Sequence, residues 1–255
     1  MDERAAAFLR ILKIMDELRE QCPWDRKQTL ESLRPLTLEE TYELSDAIIK
    51  CDMKSLKEEL GDVLLHLVFY SKIADEKGAF NIADVIHTLC EKLIHRHPHI
   101  YGDVKVENEE EVKQNWEKLK MKEGRKSVMS GVPVSMPALI KAWRIQDKAR
   151  QVGFEWENIQ DVWKKVEEET QEFREAERLK DLSKIEEEFG DLLFALVNYG
   201  RFLNVDPETA LERTNQKFLS RFQHIEAVAA ERGKVLTDMS LAEMDEIWNE
   251  AKRLK

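Results

Sequence analysis

The chain has 255 residues, of which 42% are hydrophobic and 36% are charged, and its formal net charge is −11. A chain of this length and composition can form one large or two modest domains and is too hydrophobic to be disordered. Its acidity, without a basic stripe, argues against nucleic acid as a partner, although an acidic chain can still bind a small anion where lysines or a metal ion bridge the two.

The first element is a predicted helix over residues 4–20. Its apolar residues recur at helical spacing and do not form one run behind a basic head, so we do not expect a signal peptide. No run approaches the roughly 18 apolar residues of a membrane span, and we expect no membrane partner. Three cysteines, Cys22, Cys51 and Cys90, are expected to be free thiols, which favours a cytoplasmic location.

Four or five helices are predicted in each half of the chain. In the first half they cover 4–20, 36–50, 56–77, 81–96 and 109–122. In the second half they cover 138–151, 158–178, 184–203, 207–232 and 240–253. Ser-x-x-Glu capping boxes at 55–58 and 183–186 are predicted to begin the third helix of each half. Because no stretch alternates polar and apolar residues, the expected fold class is all-α.

The two halves repeat one acidic pattern at a shift of 129 residues. The shift places Glu39, Glu40, Glu43, Glu59 and Asp62 on Glu168, Glu169, Glu172, Glu188 and Asp191. It changes to 125 and then to 132 further along the chain, as loop insertions would cause. We therefore expect two tandem helical-bundle domains from an internal duplication. They cover residues 1–119 and 138–255, with a linker of Gly, Pro and Ser at 120–137.

The acids of each half are expected to form one pocket. Helix positions i, i+1 and i+4 share a face, as do i and i+3, so two antiparallel helices can bring five carboxylates together. The segment after Asp62 is apolar nearly all round, so we expect its helix and Asp62 to be buried. Buried carboxylates need cations, and oxygen-only ligands favour Mg²⁺ or Mn²⁺ over zinc.

Two other interpretations of the acids are open at this point. Glu-rich runs usually form solvated faces, but the same 16-residue spacing of Glu43–Glu59 and Glu172–Glu188 favours a site. A di-iron carboxylate bundle requires Glu-x-x-His motifs. Here the third acid is an aspartate, and His66 of the first copy is replaced by Ala195 in the second.

The order of the motifs resembles a known family. The first half carries "CPWDRKQTLESLRPLTLEETYEL" and "EELGDVLLHLVFYSKIA", and the second carries "EEETQEF" and "EEEFGDLLFALVNYGRF". They are similar to the tandem-domain MazG members of the all-α nucleoside triphosphate pyrophosphohydrolase superfamily, whose Glu-Glu-x-x-Glu and Glu-x-x-Asp motifs both copies contain. The resemblance covers nearly the whole chain. It implies a homodimer that hydrolyses nucleoside triphosphates to monophosphate and diphosphate with Mg²⁺, for nucleotide-pool house-cleaning or stress regulation. We expect broad base specificity.

The resemblance also implies roles for individual residues. A metal ion, Mg²⁺ or Mn²⁺, is expected on Glu169, Glu172, Glu188 and Asp191, with first-copy equivalents Glu40, Glu43, Glu59 and Asp62. Glu168 is a candidate general base and completes a catalytic set with the four second-copy ligands. Contacts to the nucleotide are expected from Lys165, Lys184, Asn215, Lys217, Arg221 and Trp248.

The second half is predicted to be the main catalyst. Its extra polar residues Lys165, Lys184 and Asn215 stand where the first copy has Leu36, Ser55 and Cys90. A nucleotide-sensing or partner-binding protein with non-catalytic metal sites is the alternative. Release of pyrophosphate from a nucleoside triphosphate would distinguish the enzyme from the sensor.

Overall fold

The structure is a computed structural model that describes residues 2–108, 111–112, 115–116, 119 and 127–253. These residues form helices and turns, and none of them belongs to a strand, so the all-α prediction is confirmed. The chain divides into two compact units, Met1–Trp116 and Glu117–Lys255. No helix in the described ranges is long and apolar enough to cross a membrane.

The predicted domain limits at 119 and 138 stay predictions. The first seven residues of the proposed linker, 120–126, lie outside the described residues, while 127–137 lie within them. The predicted helix 109–122 also falls largely outside the described part of the chain.

In its described part, the first unit has a hydrophobic core where its first three helices meet. The helices are α1 (Glu3–Gln21), α2 (Leu30–Ile49), α3 (Met53–Glu76), α4 (Ile82–Arg96) and the short α5 (Pro98–Tyr101). The buried core side chains are Met15, Leu33, Val68, Phe69 and Ile73. Helix α1 therefore closes one face of the α2–α3 pair.

Helix α2 begins at Leu30, so the predicted start at residue 36 was wrong. The Thr29 hydroxyl accepts a hydrogen bond from the Ser32 N–H, and the Ser32 hydroxyl accepts one from the Thr29 N–H. This reciprocal cap starts the helix one and a half turns earlier. Pro35 then lies inside the helix, where its ring removes one N–H donor without ending the helix.

The second unit is built from five helices within its described residues. They are α6 (Ala138–Gln151), α7 (Ile159–Leu179), α8 (Leu182–Phe202), α9 (Pro207–Glu231) and α10 (Leu241–Ala251). Helix α6 packs against α8 and α9, while α7 packs along α8. Helix α10 folds back on α9 over a cluster formed by Ile225, Ala229, Met239 and Ile247. The predicted bounds of these five helices lie within two residues of the observed ones.

One turn is repeated in both units and joins the acid-bearing helices. Cys51 (φ 54°) and Lys180 (φ 56°) both adopt the left-handed conformation that ends the preceding helix. Each is followed by an aspartate, Asp52 or Asp181, whose carboxylate accepts backbone N–H bonds and caps the next helix. The predicted Ser-x-x-Glu boxes were therefore wrong, because an aspartate that caps as well as serine lies earlier in each copy.

Candidate active site

Because of the repeated turn, the acids of α2 and α3 lie at the same distance from the turn along the two helix axes. Glu43 and Glu59 each lie eight residues from Cys51, on opposite sides of the turn. Because each helical residue rises about 1.5 Å, both glutamates lie about 12 Å from the turn on adjacent antiparallel helices. The α7–α8 hairpin repeats this spacing about Lys180.

Each hairpin gathers three glutamates, and one carboxylate oxygen from each lies within 4.8 Å of the others. The first glutamate cluster consists of Glu40, Glu43 and Glu59. The second glutamate cluster consists of Glu169, Glu172 and Glu188. The structure therefore brings together three of the four predicted metal ligands in each copy. Asp62 and Asp191, one turn further along α3 and α8, lie outside these close groups.

Asp62 is exposed, so the prediction that it is buried was wrong. Helix α3 turns only one face, including His66 and Phe69, into the core of its unit. Leu64 and Leu67 on another face are 40% and 53% exposed. Although α3 carries apolar residues on most of its circumference, only one of its faces is buried within this chain.

Mutual repulsion and desolvation act on both clusters. Burial, followed by the charges of Asp62 and Glu43, raises the pKa of Glu40. Desolvation and the neighbouring Glu43 and Asp62 likewise raise the pKa of Glu59. In the second cluster, desolvation and the charges of Glu169 and Glu188 raise the pKa of Glu172. A hard divalent cation would relieve this repulsion, and an all-oxygen donor set fits Mg²⁺ or Mn²⁺.

A lysine distinguishes the second cluster from the first. Lys165 Nζ lies 2.7 Å from an oxygen of Glu168 and 2.7 Å from an oxygen of Glu169. These hydrogen bonds raise the pKa of Lys165 above its usual value, so the ammonium stays charged. Its charge compensates Glu169, which is only 6% exposed. In the first unit, Leu36 takes the equivalent position and packs against the apolar core.

Glu169 of the second cluster lines a cavity of about 630 Å³, here called the α6–α8 cavity. Lys165, Glu169 and Asp191 form its acidic end. The rest of the wall comes from Met129, from α6, from the 153–156 segment and from the second half of α8, and most of it is apolar. A cavity of this size and composition falls in the usual range for small-molecule sites, roughly 300–1,000 Å³.

Two further cavity-lining positions of the second unit are core positions in the first. Ala195 and Asn198 line the α6–α8 cavity. At the shift of 129, their first-unit equivalents are His66 and Phe69, both buried. His66 Nδ1 lies 2.6 Å from the hydroxyl of Thr37, which anchors the imidazole inside the unit. Larger, anchored side chains thus stand in the first unit where smaller ones border the cavity in the second.

The other predicted nucleotide contacts lie on different parts of the second unit. Lys184, Asn215 and Lys217 are exposed. The Arg221 guanidinium stacks over the Trp248 ring at 5.4 Å, and this tryptophan packs against the α9–α10 core. Among the described residues that line the α6–α8 cavity, Lys165 is the one predicted nucleotide contact.

Sequence reasoning missed the polar groups at the far end of the cavity. Arg201 binds both carboxylate oxygens of Glu155, at 2.6 and 2.7 Å, and its guanidinium also donates to Asn198 Oδ1. Gln146, on α6, is buried and lines the same cavity. The sequence signal for Gln146 was the run of polar residues 146–148, which lies in a helix that packs on its neighbours and so indicates a buried polar side chain. No local sequence pattern could predict the contact between Arg201 and Glu155, because 46 residues separate them.

The duplicated hairpin and its glutamates agree with the comparisons with known proteins. The model of the MazG nucleotide pyrophosphohydrolase domain matches the chain twice, over residues 28–101 and 157–226. The chain belongs to the MazG nucleotide pyrophosphohydrolase family. The two matches confirm the predicted tandem organisation, and membership makes the protein a hydrolase that acts on phosphoanhydride bonds.

Two MazG-family relatives align over almost their whole length. The Thermotoga maritima protein named nucleoside triphosphate pyrophosphohydrolase/pyrophosphatase MazG is 48% identical, over 99% of this chain and 98% of its own. The Escherichia coli K12 nucleoside triphosphate pyrophosphohydrolase is 42% identical, over 96% of each chain.

A longer chain and a solved structure are also similar to this chain. The Bacillus subtilis protein YabN, described as uncharacterized, is 47% identical over 96% of this chain and 51% of its own. The crystal structure of a MazG-related protein from Thermotoga maritima covers 44% of this chain and 97% of its own, at 28% identity and a TM-score of 0.40.

Proposed function

We propose that the protein hydrolyses nucleoside triphosphates to nucleoside monophosphate and diphosphate, mainly in its second unit and with Mg²⁺ or Mn²⁺. The observation that carries this proposal is the second glutamate cluster at one end of a cavity large enough for a nucleoside. The activity named for the Thermotoga maritima and Escherichia coli relatives supports the choice of substrate.

The second cluster provides the residues that would hold the metal ion. Glu169, Glu172 and Glu188 offer oxygen ligands within 4.8 Å of one another, and Asp191 borders the same cavity. A divalent ion bound there would supply positive charge. This charge would offset the negative charge of the triphosphate and reduce the repulsion among the glutamates. Thiolate and imidazole ligands, which would favour zinc, are absent from this described cluster.

The chain's own residues would activate water and accept the triphosphate. Glu168 is exposed beside the cluster, and its carboxylate is a suitable acceptor for a proton of the attacking water. Water then forms a bond to the α-phosphorus, and the bond from that atom to the oxygen bridging the β-phosphorus breaks, so that diphosphate leaves with the electron pair. Lys165 lies between Glu168 and Glu169, where an incoming phosphate can replace one carboxylate as its partner.

We also propose that the protein works as a homodimer. Exposed apolar side chains are numerous on the acid-bearing helices, on α4 and on α9. They include Leu60, Leu64 and Leu67 on α3, Leu193 and Leu196 on α8, and Phe218 and Phe222 on α9. Apolar surface of this extent usually marks an interface. Light scattering at micromolar protein should give twice the chain mass of 30.0 kDa, and a monomer would contradict this part of the proposal.

Broad base specificity and a cytoplasmic location complete the proposal. The catalytic groups of the second cluster are directed at phosphates, which all nucleoside triphosphates share, so several bases should be accepted. Such an activity suits the removal of unwanted nucleotides, or control of the nucleotide pool under stress. Free cysteines at positions 22, 51 and 90 fit a reducing compartment.

Product identity tests the reaction. The purified protein is incubated with ATP and Mg²⁺, and the products are followed by ³¹P NMR. AMP and pyrophosphate are expected, and both should fail to form when EDTA is present. ADP and orthophosphate would contradict attack at the α-phosphorus, and stoichiometric iron in the purified protein would contradict the choice of metal.

A further inference from the structure

One buried amide that lines the α6–α8 cavity has an acceptor oxygen without a hydrogen-bond partner among the described residues. Gln146 is 7% exposed, and its Nε2 donates to the carbonyl oxygen of Phe194 at 2.8 Å. Its Oε1 is fully buried and has no hydrogen-bond partner among the described residues. A buried acceptor without a donor is costly, so such a group in a cavity wall is expected to meet a donor from a ligand.

The orientation of this amide is fixed by chemistry. A main-chain carbonyl accepts hydrogen bonds and cannot donate them, so the group facing Phe194 must be the NH₂ of Gln146. The opposite atom is therefore an oxygen, held as an acceptor by the packing of α6 on α8.

The position of Gln146 relative to the acids matches the length of a nucleoside. Along α8, Phe194 lies three residues beyond Asp191, and Asn198 lies four residues beyond Phe194. At about 1.5 Å per residue, the amides lie about 5–10 Å further along the cavity wall than the acidic end. A triphosphate held at the acids would place the base, which follows the ribose, toward the amides.

Asn198 is fixed in the complementary orientation. Its Oδ1 accepts two hydrogen bonds from Arg201, at 3.2 and 2.8 Å, and Arg201 is itself held by Glu155. The remaining Asn198 atom is the NH₂ donor, on a side chain that lines the cavity. The wall therefore carries one fixed acceptor and one oriented amide, which is the chemistry that an edge of a nucleobase requires.

We propose that Gln146 is a specificity-determining residue whose Oε1 accepts a hydrogen bond from an N–H group of the nucleobase. This inference rests on the proposed function, because it assumes that a nucleoside triphosphate binds with its phosphates at the second cluster. Adenine, guanine, cytosine and uracil all carry an N–H donor, so broad specificity among them is retained. A base without any N–H group would leave Oε1 buried and unpaired.

The test compares ATP with purine riboside triphosphate, which differs from ATP by lacking the 6-amino group and so has no N–H on its base. With the wild-type protein and Mg²⁺, kcat/KM for the analogue should be roughly 10-fold or more below that for ATP, mainly through KM. Gln146→Met keeps a similar volume and removes the acceptor. It should lower kcat/KM for ATP and bring the ratio of the two substrates close to one.

Each outcome of this experiment supports or overturns the proposed role of Gln146. Equal use of both triphosphates by the wild-type protein would overturn the inference while leaving the proposed function intact, and this comparison needs no variant that must fold. A Gln146→Met protein that loses the same factor with both substrates would show a purely structural role and overturn it as well. Failure to form monophosphate and diphosphate from either substrate would overturn the proposed function and this inference with it.

Discussion

The two copies of the acid motif differ in what surrounds them, and the difference is the basis for proposing the second unit as the main catalyst. Both hairpins gather three glutamates within 4.8 Å. In the second unit, Lys165 compensates the acids and a cavity of about 630 Å³ opens beside them. In the first, Leu36 and His66 stand at positions equivalent to Lys165 and Ala195, and both pack into their unit. Both copies therefore retain the acids, while Lys165 and the smaller side chains that border the α6–α8 cavity occur in the second.

The largest effect is expected from one metal ligand changed in each copy. Glu172→Gln keeps the size of the side chain and removes its charge, so kcat for ATP should fall by at least about 100-fold. Glu43→Gln is the matched change in the first cluster and should lower kcat by less than about 3-fold. Initial rates of pyrophosphate release give both values, with circular dichroism as the check that each variant is folded.

The second effect concerns a lysine that both copies contain. Lys217 lies on α9 and is exposed, as is its first-copy equivalent Lys92 on α4. If Lys217 binds the triphosphate, Lys217→Ala removes a charge-assisted contact and should raise KM about 10-fold, with a smaller change in kcat. Lys92→Ala should leave both constants unchanged. An equal rise of KM in the two variants would assign substrate binding to both copies.

A smaller effect on hydrolysis is expected when the side chains at the equivalent positions 66 and 195 are exchanged between the copies. Ala195→His places an imidazole at the wall of the α6–α8 cavity and should lower kcat/KM for ATP by about 5-fold. The reciprocal change, His66→Ala, removes the hydrogen bond to Thr37 and leaves a void, so it should lower the melting temperature without reducing hydrolysis. Hydrolysis that survives Ala195→His and fails in His66→Ala would reverse the assignment of the substrate cavity.

The smallest effect is on stability without metal. The raised pKa values of Glu40, Glu59 and Glu172 mean that the folded protein binds more protons than the unfolded chain just above the ordinary glutamate pKa of 4.5. Metal-free stability should therefore fall as pH rises through that window, and Mg²⁺ should raise the melting temperature more at pH 8 than at pH 5.

The copies should differ in this respect too. Lys165 already compensates the second cluster, so Glu59→Gln should raise the metal-free melting temperature at pH 8 by about 2 °C more than the equivalent Glu188→Gln. Differential scanning fluorimetry in EDTA measures the difference. A larger gain from Glu188→Gln would show that the ion pairs of Lys165 do not offset the repulsion.

The sequence predicted the features that depend on helix geometry alone. The spacing of Glu43 and Glu59 about one turn is enough to bring them together once both segments are helices. The burial of Asp62 was mispredicted because an apolar helix does not indicate which of its faces packs within its own chain. The role of Gln146 in the cavity wall could not be predicted from the sequence for another reason. Gln146 and Phe194 are 48 residues apart, and only the packing of α6 on α8 brings them into contact.

The most direct test of the central claim neutralises one whole cluster at a time. One protein carries Gln at positions 40, 43 and 59, and the other carries Gln at 169, 172 and 188. Both are incubated with ATP and Mg²⁺, and AMP and pyrophosphate are followed by ³¹P NMR after light scattering has shown the same assembly state as the wild type. The first protein should form products at close to the wild-type rate, and the second should form none. Loss of activity in the first protein, or its survival in the second, would contradict the assignment of catalysis to the second unit.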